Sequence, residues 1–443
     1  MAMTAPQHFL NFLPLPHGHG SLRPTCISKV YSGHSLEPRS CIRNPRLAVY
    51  FAVLLSLLQG ISMRGAKILV SLSALASGAT PFEVGVLAAM FAVFPLVLAV
   101  YAGKASDRIG VKRPIVWGAA IISIGIAVPL ALPGLSGLVI ASALIGLGHI
   151  FFHVSIHNLI GAYGSGEERT RNFATFALGA SIAAFIGPSL GGFSIDLLGF
   201  RATHVLLAAI ALLPAFVLLA RPSIIPARAI HGRPDKAGGS LQLLRDRGLL
   251  RTLIMSGVTL TGIELFTFYF PVYGRSIGLS ASAIGLVMSS YAVAAFLVRM
   301  GMPRATKRLG EVGVLTASLF IAGVTYLLVP LVSHAPLLAA IAFLLGIGLG
   351  CAQPLTIILT YNHAPPGRSG EALGLRLTVN KLTQIVVPLA FGAMGSALGL
   401  LPVFFANGAF LLAGGVISFA EGRVSAARRN AAAAVAEQQE EDT

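Results

Sequence analysis

The sequence predicts an all-α integral membrane protein of twelve transmembrane helices in two pseudo-symmetric six-helix bundles. Composition, the placement of charge and an internal repeat predict it. The 443 residues are 55% hydrophobic and 11% charged, whereas a soluble protein carries about 25% charged residues. Apolar runs recur from Arg46 to Arg423, with room for about twelve segments of the roughly 20 residues that cross a bilayer, joined by short connections. Cations gather in alternate loops: Lys104, Arg108, Lys112 and Arg113; Arg169 and Arg171; Arg221 to Arg251; Arg304, Lys307 and Arg308; Arg423, Arg428 and Arg429. The intervening loops near Gly78, Gly134 and Ser333 hold no Lys or Arg. This is the positive-inside pattern of an even number of spans with both termini cytoplasmic. The net charge of +16 is therefore read as a basic face against anionic lipid head groups and not as a nucleic-acid surface.

The repeat has a constant offset of 200 residues. Gly78 meets Gly278, Gly85 meets Gly285, and Arg108-Ile109-Gly110 meets Arg308-Leu309-Gly310. Gly146-Leu147-Gly148 meets Gly346-Ile347-Gly348, Pro188 meets Pro388, Gly192 meets Gly392 and Gly199 meets Gly399. A fixed offset over more than a hundred residues means two bundles of like topology, and parallel halves of this kind hold a solute midway between them.

Residues 1–45 are polar, rich in Pro and His, and nearly free of acids. They lack the apolar core and small-residue cleavage site of a secretory signal. A disordered cytoplasmic tail or a start site placed too early is expected, with an organellar transit peptide as the alternative. The first bundle is expected over 46–220, with spans near 47–75, 82–103, 114–133, 136–160, 172–198 and 202–220. A cytoplasmic linker rich in Pro, Gly and cations follows over 221–250. The second bundle, 251–422, has spans near 251–274, 282–302, 312–332, 336–361, 372–397 and 401–421, before a cytoplasmic tail over 423–443. Cys26, Cys41 and Cys351 form no disulfide framework and no metal-ligand spacing.

Between the second and third spans the chain reads Gly-Lys-Ala-Ser-Asp-Arg-Ile-Gly-Val-Lys-Arg from Gly103 to Arg113. It reads as a tight loop bracketed by Gly103 and Gly110, with Asp107 able to charge-match a helix N-terminus. Residue types and spacing resemble the loop signature of the major facilitator superfamily, with Ala105 where that pattern has Leu. The resemblance covers nearly all of Arg46 to Arg423. Glu167-Glu168-Arg169 resembles a common loop of the same family. Gly187-Pro188-Ser189-Leu190-Gly191-Gly192, with Gly179 before it, resembles the Gly-Pro-x-x-Gly-Gly element of its exporter branches. Physically, Pro188 removes a helix hydrogen bond, and Gly187, Gly191 and Gly192 admit a neighbouring helix closely, which is also the ordinary packing of membrane helices. One departure stands out: Ser142 lies where many proton-linked members carry Arg in the fourth span. The resemblance implies a gating role for Gly103, Asp107, Arg108, Gly110, Lys112 and Arg113, with Asp107 facing the start of the eleventh span.

Ionisable groups at membrane depth cost at least about 2.5–3.5 kcal/mol on insertion scales, so each is a functional candidate. The acids Asp107, Glu167, Glu168, Asp235, Asp246, Glu311, Glu371 and Glu421 fall in loops or at span ends of the cytoplasmic side, and Glu83 and Asp196 near the opposite ends. Glu264 alone falls in mid-span, and its counterpart by the offset is Arg64. An Arg64–Glu264 pair across the cavity is expected, either as a static lock or as a pair that solute or proton opens. Lys67, one turn on, faces the same way. Arg376, Asn380, Lys381 and Gln384 make a polar stripe in the eleventh span that faces inward, with snorkelling of Arg376 and Lys381 as the alternative. Arg299 reads as a snorkelling or loop-pairing cation. His149, His153 and His157 share one face of the fourth span; they bind solute, relay protons or pack as a hydrogen-bonded face, and no nearby acid or Cys completes a metal set. Tyr269, Tyr273, Tyr291, Asn158, Gln353 and Asn362 are further polar groups that nothing ranks.

Taken together, the expected cavity is electropositive and favours an anionic or zwitterionic solute. The resemblance implies secondary transport of a small organic solute by alternating access, with proton-coupled export (antiport) favoured by the Gly-Pro element and Glu264 as the proton site. Uptake or facilitated diffusion of an organic anion is the alternative, and a non-transporting receptor or sensor a remoter one. No nucleophile–base motif or phosphate loop suggests an enzyme. No cofactor or metal is expected; the expected partners are protons and membrane lipids, with no nucleic acid and a monomeric state. Ala- and Arg-heavy usage suggests a GC-rich bacterial genome, and the expected location is a bacterial inner membrane.

Overall fold

The computed structural model describes residues 45–163, 167–221, 243, 245–365 and 368–441. The expected N-terminal tail and most of the expected linker lie outside the described residues. Eleven α-helices and one 3-10 turn, Val329–Leu331, make up the described chain, with no strand among these residues. The helices are α1 Pro45–Ala76, α2 Pro81–Ile109, α3 Lys112–Ala131, α4 Leu135–Ala162, α5 Glu167–Ala220, α6 Arg247–Ser276, α7 Ala281–Leu328, α8 Ala335–Gly350, α9 Ala352–His363, α10 Ser369–Leu398 and α11 Leu400–Glu441.

Ten helical stretches are long and apolar enough to cross a membrane, where the sequence predicts twelve. The difference lies in α5 and α7, of 54 and 48 residues. At 1.5 Å per residue each reaches about 70–80 Å, long enough for two crossings. Each breaks once, at Gly199 (φ 79°) and Gly310 (φ 72°), in the left-handed region that glycine alone enters freely. The offset of 200 carries into backbone geometry: the positive-φ glycines Gly78, Gly110 and Gly199 recur as Gly278, Gly310 and Gly399.

Local chemistry sets the helix starts. Thr80 and Glu83 form a reciprocal capping box at α2, with the Thr80 N–H donating to Glu83 Oε2 at 2.7 Å. Asp246 caps α6 by accepting from the Leu249 N–H at 2.8 Å, and Ser280 caps α7. One expectation is corrected here. Gly103 does not open a loop: α2 stays helical to Ile109, and only Gly110 and Val111 separate it from α3. Lys104, Asp107 and Arg108 thus ride on the last turns of a helix, and Asp107 is exposed there. At the other end of the chain α11 runs on as helix to Glu441, through the expected C-terminal tail.

Large apolar side chains such as Leu197, Phe216, Leu331 and Leu398 lie exposed on the outside, where lipid covers them. α6 is the most enclosed of the spanning stretches, with 83% of its apolar window buried, and Phe268, Tyr269 and Phe270 on it are almost fully buried. It is the axis around which the site is built.

Two seams join the halves of the chain at the end that carries Gly78, Gly199, Gly278 and Gly399. In one, α5 meets α7: a Cβ on Gly285 would lie 2.5 Å from the Pro188 carbonyl oxygen, and one on Gly192 2.2 Å from that of Ala281. The Asp196 carboxylate accepts from the Ala281 and Ser282 N–H groups at 3.2 and 2.7 Å, on the first turn of α7. Ser289 Oγ donates to the Phe185 carbonyl at 2.6 Å. In the other, α2 meets α10: a Cβ on Gly85 would lie 2.4 Å from the Pro388 carbonyl oxygen, and Ser396 Oγ accepts from the Phe82 N–H at 2.9 Å. The Tyr269 hydroxyl, from α6, donates to the Pro388 and Pro81 carbonyls at 2.5 and 3.3 Å and clasps both helices. The two seams occupy equivalent positions under the offset, but one is latched by a carboxylate and the other by hydroxyls.

Candidate functional site

Above the seams lies a cavity of about 440 Å³, lined by α1, α4, α5, α6 and α7, within the range of small-molecule sites. Its wall runs from Pro188 and Thr267 at mid-depth to Ser56, Ile156, Phe176 and Arg299, toward the end where α1 and α5 begin. The molecule is thus sealed at one end, with its cavity extending toward the other.

Arg64, Lys67 and Glu264 all face this cavity, but the expected Arg64–Glu264 pair does not form. Lys67 takes the place: its Nζ lies 4.0 Å from Glu264 Oε2, and 4.8 Å from the centroid of the Phe268 ring. Gln384 Nε2 donates to Glu264 Oε1 at 2.9 Å, and Lys381 Nζ donates to Gln384 Oε1 at 2.8 Å. The offset puts residues 64 and 264 at one depth; side-chain direction then decides the partner, and the residue one turn on has it. Arg64 forms no hydrogen bond or ion pair with any described residue. Its position is set from behind by the Gly-Pro element, because a Cβ on Gly187 would lie 2.7 Å from the Arg64 Cβ. Gly191 packs on Gly65 in the same way.

The polar stripe of the eleventh span does not line the cavity wall. Arg376 is 4% exposed, and its Nη2 donates to Gln353 Oε1 at 2.6 Å and to Thr356 Oγ1 at 3.0 Å, on α9. It neither snorkels nor faces the solute space. Asn380 accepts from Ser256 Oγ at 2.8 Å and ties α10 to α6. Gln384 reaches the site by its bond to Glu264, and Lys381 by its bond to Gln384. His149 and His153 line the cavity, whereas His157 stands beyond it against Phe176, with ring centroids 4.7 Å apart. The three imidazoles form a column with centroids 5.0 and 4.1 Å apart, and His157 Nδ1 pairs with the His153 carbonyl at 2.8 Å.

Two features of the site lie outside the sequence expectations. Arg299, read as a snorkelling cation, lines the cavity, and its Nε donates to the Gly350 carbonyl at 2.8 Å. Gln59 and Ser56 also face the cavity, and their polar atoms are buried with no partner among the described residues, as is His149 Nδ1. Recurrence of Ser56 as Ser256 under the offset was a signal that these positions are polar by design.

A polytopic helical membrane protein, doubled in sequence and enclosing one charged cavity between its halves, defines a class: membrane transporters of small solutes. The chain belongs to the Major Facilitator Superfamily, whose family pattern matches residues 52–280 and again 252–439, so the two matches begin 200 residues apart. It is similar to an uncharacterized MFS-type transporter of Methanocaldococcus jannaschii, 20% identical over 77% of this chain and 89% of the relative. It is also similar to the quinolone resistance protein NorA of Staphylococcus aureus, 22% identical over 78% of this chain and 88% of that protein. Among solved structures the fold matches a POT family transporter in complex with 5-aminolevulinic acid, at TM-score 0.71 and 14% identity over 85% and 96% of the two chains. A bacterial homolog of the human lysosomal transporter Spinster, inward-facing and occupied, matches at TM-score 0.70 and 14% identity, again over 85% and 96%.

Proposed function

We propose that the chain is a secondary active transporter, not an enzyme, that exports a small organic solute in exchange for protons by rocking its two six-helix bundles about the central cavity. The observation that carries this reading is the setting of Glu264, the one carboxylate on the cavity wall among the described residues, held by one lysine at 4.0 Å and one amide at 2.9 Å. A carboxylate held so lightly exchanges partners. A zwitterionic solute presents its cationic group to Glu264, and a proton competes for the same oxygen atoms, so solute and proton travel in opposite directions. Likeness to a quinolone resistance protein and the Gly-Pro-x-x-Gly-Gly element support export. In this reading the protein sits in a bacterial inner membrane with both termini cytoplasmic, so the cavity extends toward the cytoplasm.

A second reading follows from the excess of cations on the wall. For a solute that is purely anionic the sign reverses. Protonation of Glu264 leaves Lys67 without its counter-charge, strengthens anion binding, and carries proton and solute the same way, as uptake.

Proteoliposomes with an imposed pH gradient and a zwitterionic quinolone as test solute separate these readings. Export by antiport requires accumulation against an opposing proton gradient, and Glu264→Gln abolishes that accumulation while leaving solute-for-solute exchange intact. Gradient-driven accumulation that survives Glu264→Gln rejects Glu264 as the coupling site.

A further inference from the structure

We infer that Arg64 and Arg299 form an oxyanion clamp that binds the carboxylate of an amphipathic organic acid between α1 and α7, apart from the Lys67–Glu264 pair. This deepens the transport reading of the same cavity by naming what its solute must carry. Three cations and one carboxylate face the cavity from the described wall: Arg64, Lys67 and Arg299 against Glu264. Lys67 is the cation nearest Glu264, and Gln384 fills the other carboxylate oxygen. The two guanidinium groups are then left on the wall of one cavity without an acid partner among the described residues.

Like charges confined in a low-dielectric cavity repel, and that repulsion is relieved by an anion lying between them. The Arg299 geometry suits the task. Its Nε is occupied by the Gly350 carbonyl at 2.8 Å, which fixes the plane of the group and leaves the two terminal nitrogens for a carboxylate. Arg64 is seated by Gly187 and has its whole donor fork free of protein partners among the described residues. Beyond the clamp the wall is apolar, with Phe152, Phe176, Phe266 and Met288, so the body of the ligand is a hydrocarbon or an aromatic ring. On the same wall the Gln59 amide and His149 Nδ1, buried and unpaired, offer hydrogen bonds to a neutral polar group on that body.

Three isosteric probes isolate the carboxylate: 2-naphthoate, 2-naphthamide and 2-naphthylmethylammonium, titrated calorimetrically into the purified full-length protein. The naphthoate is expected to bind about ten- to hundredfold more tightly than the amide, and the ammonium compound more weakly than either. Arg299→Gln removes that preference, with a thermal unfolding midpoint within a few degrees of the parent reporting an intact fold, and Arg299→Lys restores part of it. Equal binding of naphthoate and amide, unchanged preference in Arg299→Gln, or no binding of any probe overturns the assignment. Because the readout is binding, failure here is distinct from failure of the transport reading. Carboxylate-selective binding without flux defeats the latter alone, and flux without carboxylate preference defeats this one alone.

Discussion

Gly285 has no room for one more carbon. A Cβ there would lie 2.5 Å from the Pro188 carbonyl oxygen and 3.1 Å from its carbonyl carbon, where ordinary contact begins at 3.4 Å. Those are backbone atoms of a packed helix, so Gly285→Ala separates α5 from α7 by most of an ångström. Overpacking of this kind costs about 1–3 kcal/mol. The gain in helix propensity, about 1 kcal/mol, is present in every conformation in which α7 is helical and cancels between them. The steric term falls on the sealed conformation alone, so the fraction of molecules open at that end rises about 5- to 150-fold. The assay is the alkylation rate of a cysteine reporter, Ala184→Cys on the cavity wall, in a chain with its native cysteines replaced and a membrane-impermeant maleimide supplied from the sealed face. Gly301→Ala is the control, because a Cβ there meets nothing within 4 Å. A Gly285→Ala rate within twofold of the parent, or an equal acceleration in Gly301→Ala, refutes the reasoning.

Asp196→Ala deprives the first turn of α7 of two hydrogen bonds while the Ser280 cap remains. A cap is worth about 0.5–2 kcal/mol, so the same reporter should alkylate about 2- to 30-fold faster, with Asp196→Asn between; identical rates would show that the latch carries no weight. A double-mutant cycle of Lys67→Gln with Glu264→Gln should give a coupling of about 1 kcal/mol in thermal unfolding, while Arg64→Gln with Glu264→Gln should be additive within about 0.5 kcal/mol. The reverse ranking would assign Glu264 to Arg64 after all. Gln59→Leu replaces a buried, unpaired amide by a group of similar size and should raise the stability of the ligand-free protein by about 1–2 kcal/mol, a few degrees in Tm. A Tm lowered by that amount would mean the amide has a partner.

Helix positions, the 200-residue offset and the placement of Glu264 in the middle of a helix were legible because hydropathy and period act over tens of residues and average out local ambiguity. What failed depended on rotation or on a single side chain. Charge marks where the bilayer ends, not where a helix ends, so Gly103 was read as loop although α2 runs on to Ile109. The offset fixes depth but not direction, so Arg64 was paired with Glu264 although Lys67 lies nearer. Arg376 sits on a stripe whose facing hydropathy alone cannot orient, and it turns to Gln353 on α9. Arg299, close to a span end, looks from sequence like any cation reaching for head groups; its place on the cavity wall and its bond to the Gly350 carbonyl separate the two cases.

The closed end of the molecule is built mainly from main-chain oxygen meeting glycine. A wall of backbone depends on side-chain identity at only a few places: where a methyl would intrude, at Gly85, Gly192, Gly285 and Gly392, and where a side chain latches it, at Asp196, Tyr269, Ser289 and Ser396. Evolution is therefore free to rewrite nearly every residue that meets the cargo without disturbing the door that shuts behind it. A new specificity in this scaffold demands no new hinge.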